Sequence, residues 1–217
     1  HLENGPARAI IANSGNANAC APDGMENARR EAAAAAKLLG LDESDVIVAS
    51  TGVIGQRLNI ECIEQNLHNL TLSADGSDAA ENAIMTTDTK LKTAAFEFLA
   101  GGKNCKIGGI CKGSGMIHPN MGTMLAFITT DCAIDSALLQ ETLREVVRVS
   151  FNRVSVDGDT STNDMCVVLA NGLAGNATIT GRDIEWKSFY DALEAVCVSL
   201  AKQIAADGEG ASRMITC

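Results

Sequence analysis

CKIGGICKGSGMIHPNMGTMLAFITT, residues 105–130, sets two apolar runs on either side of a loop punctuated by three glycines and a proline. Residues 105–111 and 123–130 are short, apolar and rich in β-branched side chains, so both read as buried strands. Upstream, residues 92–99 alternate loosely. Gly101-Gly102-Lys103-Asn104 then gives a hairpin-type turn signal that makes 105–111 the returning strand. The centre of the chain is therefore predicted as strand, turn, strand, glycine-bearing loop and strand.

Outward from this core the pattern changes period. RAIIAN (8–13), DVIVAS (45–50) and MCVVLA (165–170) read as further strands. MENARREAAAAAKLL (25–39) is made of strong helix formers, and Gly40 is placed to cap its C-terminus. Residues 59–70, 78–85, 136–151 and 187–206 also read as helices, the last long and amphipathic. Strands and helices alternate while hairpin signals intervene. That favours a mixed α/β or layered α+β sandwich over a purely parallel sheet.

The chain carries 27 acidic and 17 basic residues, a formal net charge of −10. A general nucleic-acid binder needs the opposite surplus to neutralise phosphates, so that class is excluded. No run of 18 apolar residues is present, which removes a membrane-spanning helix from consideration. The eight cysteines include no Cys-x-x-Cys pair, and several sit in apolar runs where a free thiol acts as a small hydrophobe. The three histidines show no metal-ligand spacing, so no metal is expected. These features fit a reducing, cytoplasmic setting. The chain opens at His1 and closes on Cys217 in an apolar run, and both ends look cut.

Five segments could carry chemistry. KGSGMIHPNMGT (112–123) ends with a small residue, Gly122, before a hydroxyl, Thr123, that opens an apolar strand. An enzyme with an N-terminal nucleophile needs this order. The hydroxyl attacks the preceding carbonyl, the resulting ester is hydrolysed, and the freed α-amine, with an ordinary pKa of roughly 8, serves as base. The plainer alternative is a threonine that merely starts a strand. Ser50-Thr51-Gly52 could supply an oxyanion hole or be a simple strand-to-helix turn. Thr86-Thr87-Asp88-Thr89 could cap a helix or touch substrate. SVDGDTSTND (155–164) lacks EF-hand spacing and reads as a loop satisfied by its own side chains. Gly208-Glu209-Gly210 lets the backbone approach a ligand around one carboxylate, or simply ends a helix with Gly208 as cap.

Taken together, IIANSGNANAC (10–20), ASTGVIG (49–55), IMTTDT (84–89), IGGICKGSGMIHPNMGTMLAFITTD (107–131), SVDGDTSTND (155–164) and GEGAS (208–212) resemble the glutamate N-acetyltransferase (ornithine acetyltransferase) family of arginine biosynthesis. The resemblance implies a layered αββα-type sandwich and self-cleavage between Gly122 and Thr123. Residues 1–122 would then belong to an α chain and 123–217 to a β chain that stays associated with it in a higher oligomer. It implies Thr123 as nucleophile and Thr51 and Gly52 as oxyanion stabilisers. Thr86 or Thr87, Lys112, Thr123 and Glu209 would contact substrate. The implied reaction is ping-pong: N-acetylornithine acetylates the threonine, ornithine leaves, and glutamate takes the acetyl group. No cofactor is implied, although some members also accept acetyl-CoA. The family often has alanine where this chain has Gly122, and family chains extend beyond both ends of this sequence. Two other classes remain alongside it. One is a self-processing amidohydrolase or aminopeptidase that releases its acyl group to water. The other is a binding module that keeps the loops for packing only.

Overall fold

The computed structural model describes residues 7–118 and 124–217. They form two compact units that divide at Thr86/Thr87.

In the first unit, β1 (Ala9–Asn13) and β2 (Val46–Ser50) pair in parallel, from Ala9 opposite Val46 to Asn13 opposite Ser50. Parallel neighbours need a long crossover, which α1 (Gly24–Leu39) supplies. Its alanines lie flat on the strands: Ala32, Ala35 and Ala36 are buried with Val46, and Ile11 and Val48 pack against them. The helix stops at Gly40, which takes the left-handed conformation (φ 66°) and donates its N–H to the carbonyl of Ala36. The apolar pattern over 59–70 predicts one helix, but the structure gives α2 (Ile60–Asn66) followed by a 3₁₀ turn, Leu67–Asn69. Asn66 ends the α-helix with a local competitor, donating its Nδ2 to the carbonyl of Cys62 at 2.8 Å. α3 (Ser77–Ile84) completes the unit.

The second unit is a four-stranded sheet in the order β3 (Thr93–Ala100), β4 (Lys103–Lys112), β5 (Leu125–Thr130), β6 (Met165–Ala170). The first two pairings are antiparallel and β5–β6 is parallel. The mixed sheet expected from the sequence is thus present. The hairpin turn is tighter than its four-residue signal. Ala100 already pairs with Lys103, which leaves only Gly101 and Gly102, both at positive φ (57° and 71°). That is the backbone a two-residue hairpin requires.

Two helices cover the sheet. α4 (Ser136–Val149) is capped by Asp135, whose carboxylate accepts from the N–H groups of Ala137 and Leu138. α5 (Ile184–Ala206) begins three residues before its apolar pattern because Asp183 caps it, accepting from Trp186 N at 2.9 Å. Phe189, Leu193, Val196, Leu200 and Ile204 form its buried stripe, and the strands contribute Ile107, Ala126 and Ile128 to the same core. Each such large side chain contributes about 1.5–3 kcal/mol by leaving water.

The expected cleavage point, 122/123, does not coincide with the division between units. β4 before it and β5 after it are hydrogen-bonded neighbours from Ile107–Thr130 to Lys112–Leu125. No helix among the described residues is long and apolar enough to cross a membrane.

Candidate active site

The exit of β2 forms the first element. Thr51 is buried, and its N–H donates to the carbonyl of Asn13 at 3.0 Å. Val53 N donates to Gly15 O at 3.2 Å, and Ala17 N to Val53 O at 2.9 Å. The backbone of residues 13–17 therefore runs hard against 51–53. Gly52 sits between them at φ 116°, and a Cβ there would stand 2.3 Å from the carbonyl oxygen of Gly15. Only glycine fits. The Thr51 N–H is thus spent on the backbone of Asn13. Thr86 is the last residue of this unit and is exposed.

The second unit gathers charge. Lys112, the last residue of β4, is 2% exposed. Burial pulls its pKa below the usual lysine value, while Asp88, Asp164 and Glu209 favour the ammonium and Lys92 opposes it. Asp164 accepts the N–H of Met124 at 2.9 Å. Its carboxyl is pushed up to about 6 by burial, against the pull of that N–H and of Lys112.

Glu209 is exposed, with its N–H bonded to the carbonyl of Ser114 at 2.8 Å. Its carboxylate lies over Gly115, where a Cβ would come within 2.5 Å of Oε2. Ser114 is itself buried and shares a 2.8 Å hydrogen bond between its Oγ and the Oγ1 of Thr87. Thr87, Lys112 and Glu209, expected from the sequence as substrate contacts, thus lie on three segments that the fold holds together. Gly122 and Thr123, expected at the cleavage site and as nucleophile, lie outside the described residues.

Beneath these residues is an ion network. Lys92 is 1% exposed and donates to Asp88 Oδ1 at 2.7 Å and to Asp207 Oδ2 at 2.6 Å. Burial works against its charge, but the bonds to Asp207 and Asp88 win and raise its pKa. Asp207 also accepts the N–H and hydroxyl of Thr89, and its pKa falls to about 2. There, burial is outweighed by the bonds from Lys92 and Thr89.

Two local readings need correction. The helix before GEG is closed by Asp207, and Gly208 does not have the left-handed φ of a capping glycine. Gly208 is required for a different reason: a Cβ there would meet Val156 Cγ1 at 2.9 Å. The acidic loop 155–164 is only partly self-satisfied. Asp157 does accept from Asp159 N, but it also clips the neighbouring loop through Met116 N (2.5 Å) and Ile117 N (3.0 Å). These N–H bonds outweigh burial and lower its pKa. Asp164, Asp88 and Lys92 had no sequence signal that separated them from ordinary loop acids or a strand-edge lysine. Among the described residues no cluster of His, Cys, Asp or Glu could hold a metal.

The profile of the ArgJ family matches residues 1–217. The chain is 52% identical to the arginine biosynthesis bifunctional protein ArgJ of Symbiobacterium thermophilum, over 98% of this chain and 54% of that protein. It is 49% identical to the protein of the same name from Bacillus licheniformis, over 96% of this chain and 52% of the relative. It therefore spans about half the length of the curated relatives it matches. A crystal structure of the Bacillus halodurans protein of that name aligns with 54% of this chain and 61% of its own, at a TM-score of 0.49 and 39% identity. The match along its whole length, with close relatives of a single name, shows that this chain belongs to the ArgJ family.

Proposed function

We propose that this chain carries part of the active site of an acetyltransferase of arginine biosynthesis that moves the acetyl group of N-acetylornithine to glutamate through an acetyl-Thr123 ester. The observation that carries the reading is Lys112: a buried lysine at a strand end, whose charged form Asp88, Asp164 and Glu209 favour against burial. Membership of a family whose curated relatives are named for arginine biosynthesis points the same way.

In this reading the Thr123 hydroxyl first attacks the Gly122 carbonyl and the C–N bond breaks, which gives a Gly122–Thr123 ester and a free Thr123 amine; water then hydrolyses the ester to a Gly122 carboxylate and the Thr123 hydroxyl. The same hydroxyl then attacks the acetyl carbonyl of N-acetylornithine. The C–N bond breaks, and the ornithine amine leaves with the proton that the Thr123 amine took from the hydroxyl. Glutamate's amine attacks the acetyl ester and restores the hydroxyl. Thr51 and Gly52 stabilise the negative oxygen of each tetrahedral intermediate. Lys112 is a compact cation suited to a substrate carboxylate, and the exposed carboxylate of Glu209 suits the ornithine ammonium. Either Thr86 or Thr87 contacts the bound amino acid. No cofactor takes part, and the enzyme works in the cytoplasm. Because β4 and β5 are adjacent strands, the cleaved α and β chains remain paired and part only under denaturant.

The full-length protein tests this directly. Mass spectrometry should find a break before Thr123, and Thr123→Ala should stay intact. N-acetylglutamate should accumulate from N-acetylornithine and glutamate, whereas accumulation of free acetate alone would mean hydrolysis instead. Thr51→Ala should lower kcat by about 10²–10³ with the melting temperature unchanged. A change of less than a few fold would remove Thr51 from the site.

A further inference from the structure

We propose that Asp88, Lys92 and Asp207 form one positioning unit for the acyl-transfer site, in which a buried ammonium held between two carboxylates sets both the place and the charge environment of Lys112. The proposal rests on the acetyltransferase reading for its kinetic consequences, but its geometry stands apart from it.

Among the described residues of the second unit, the network touches the segments that carry Thr87, Lys112 and Glu209. Asp88 follows Thr87 and spends Oδ1 twice, on Lys92 Nζ at 2.7 Å and on Gly113 N at 2.6 Å. Gly113 comes directly after Lys112 and has φ 149°, so the bond to Asp88 fixes the direction in which the chain leaves β4. Asp207 closes α5 two residues before Glu209 and binds Lys92 Nζ at 2.6 Å, Thr89 N at 2.9 Å and Lys90 N at 3.3 Å. The circuit then returns through Glu209 N to Ser114 O and through Ser114 Oγ to Thr87 Oγ1. Moving any member displaces Thr87, Lys112 and Glu209 together.

The same arrangement controls charge. Lys112 is faced by Asp88, Asp164 and Glu209, which favour its ammonium, and by Lys92, which disfavours it. Asp88 favours the charge of Lys112 and is bonded to Lys92, whose own charge offsets part of that attraction. A methionine at position 92 fits the space but leaves Asp88 and Asp207 buried without their cation, which costs stability. The effect specific to positioning is the one on Lys112.

The test uses the full-length protein and three variants. Lys92→Met removes the opposing cation, so Lys112 should lose its proton at higher pH than in wild type. Asp207→Asn removes a carboxylate from Lys92 and draws Asp88 further towards it, so Lys112 should titrate at lower pH. Lys92→Arg keeps the charge and should restore the wild-type titration. NMR titration of the labelled lysine side chains, with Lys112 assigned through Lys112→Met, reads these displacements without requiring turnover. In acetyl transfer, the alkaline limb of kcat/KM should move in the same two directions, with kcat falling roughly 10²-fold in Lys92→Met from misplaced substrate contacts. Opposite displacements in the two variants, with rescue by arginine, establish the positioning unit even if wild type transfers no acetyl group. That last result would sink the functional reading alone. An unmoved Lys112 titration in folded Lys92→Met, or, should that variant not fold, in Asp207→Asn, overturns the proposal.

Discussion

Two buried carboxylates, one in each unit, meet opposite fates. Asp207 lies in a full set of donors, Lys92, Thr89 and the Lys90 N–H, and stays ionised with its pKa down at about 2. Glu31, on α1 of the first unit, is 1% exposed and receives one hydrogen bond, from Asn13 Nδ2 at 3.0 Å. Its second oxygen has no partner, nor do Asn13 Oδ1 and Asn27 Nδ2. Burial pushes Glu31 up to about 7. The difference teaches that burial does not decide whether a carboxylate is charged; the number of donors aimed at it does. The unit that gathers the charged residues of the candidate site has those donors.

The hardest way to break the comparison is to delete the paired carboxylate. Asp207→Ala should destabilise the folded protein by about 3–5 kcal/mol in urea unfolding, because buried Lys92 loses one of the carboxylates that offset its burial. A loss below 1 kcal/mol would mean that water replaces Asp207 freely.

The next test adjusts Glu31. Its folded pKa of about 7 exceeds the ordinary 4.5, so the folded state binds more protons than the unfolded state between these values. Stability should therefore fall as pH rises from 4.5 to 7 and then level off. Glu31→Gln should abolish that slope and stabilise the protein at pH 8, by at most about 3 kcal/mol, the figure for the whole shift. At pH 4 it should change little. Asp207 has the opposite sign. Its contribution is complete above the ordinary carboxylate range and is lost as pH falls towards 2. Amide hydrogen exchange, read separately in β1–β2 and β3–β4, should show the first unit loosening as pH rises to 7 and the second loosening in acid.

The smallest effect is expected at the surface. Arg30 bonds both Glu61 and Glu64, with an Nε–Oε1 distance of 2.8 Å to Glu64, yet these side chains are open to solvent. Arg30→Ala should leave the urea midpoint within error, since screened pairs contribute little. A shift comparable to that of Asp207→Ala would erase the contrast between buried and exposed ion pairs.

Much of the fold is local and was legible. The alanine-rich run and Gly40 specify α1 and its stop, because propensity and a left-handed cap act within a few residues. The Gly101-Gly102 pair specifies the β3–β4 hairpin, although the sequence alone overestimated the turn by two residues. The motifs around 49–55, 84–89, 107–131 and 208–212 were enough to suggest the family, and Thr87, Lys112 and Glu209 came from the last three.

What the sequence could not determine is which charges face one another. Lys92 and Asp207 are 115 positions apart, and Met124 and Asp164 are 40 apart. Neither separation is encoded in any spacing. They meet because β3–β4–β5–β6 line up in that order and α5 runs back across β3 and β4, delivering Asp207 and Glu209 beside the ends of 88–92 and 112–115. Hydrogen bonds and Coulomb interactions act over a few ångströms in space. Chain-local preferences fix the strands and helices, but only their packing decides that a strand-edge lysine becomes the buried hub beneath Lys112.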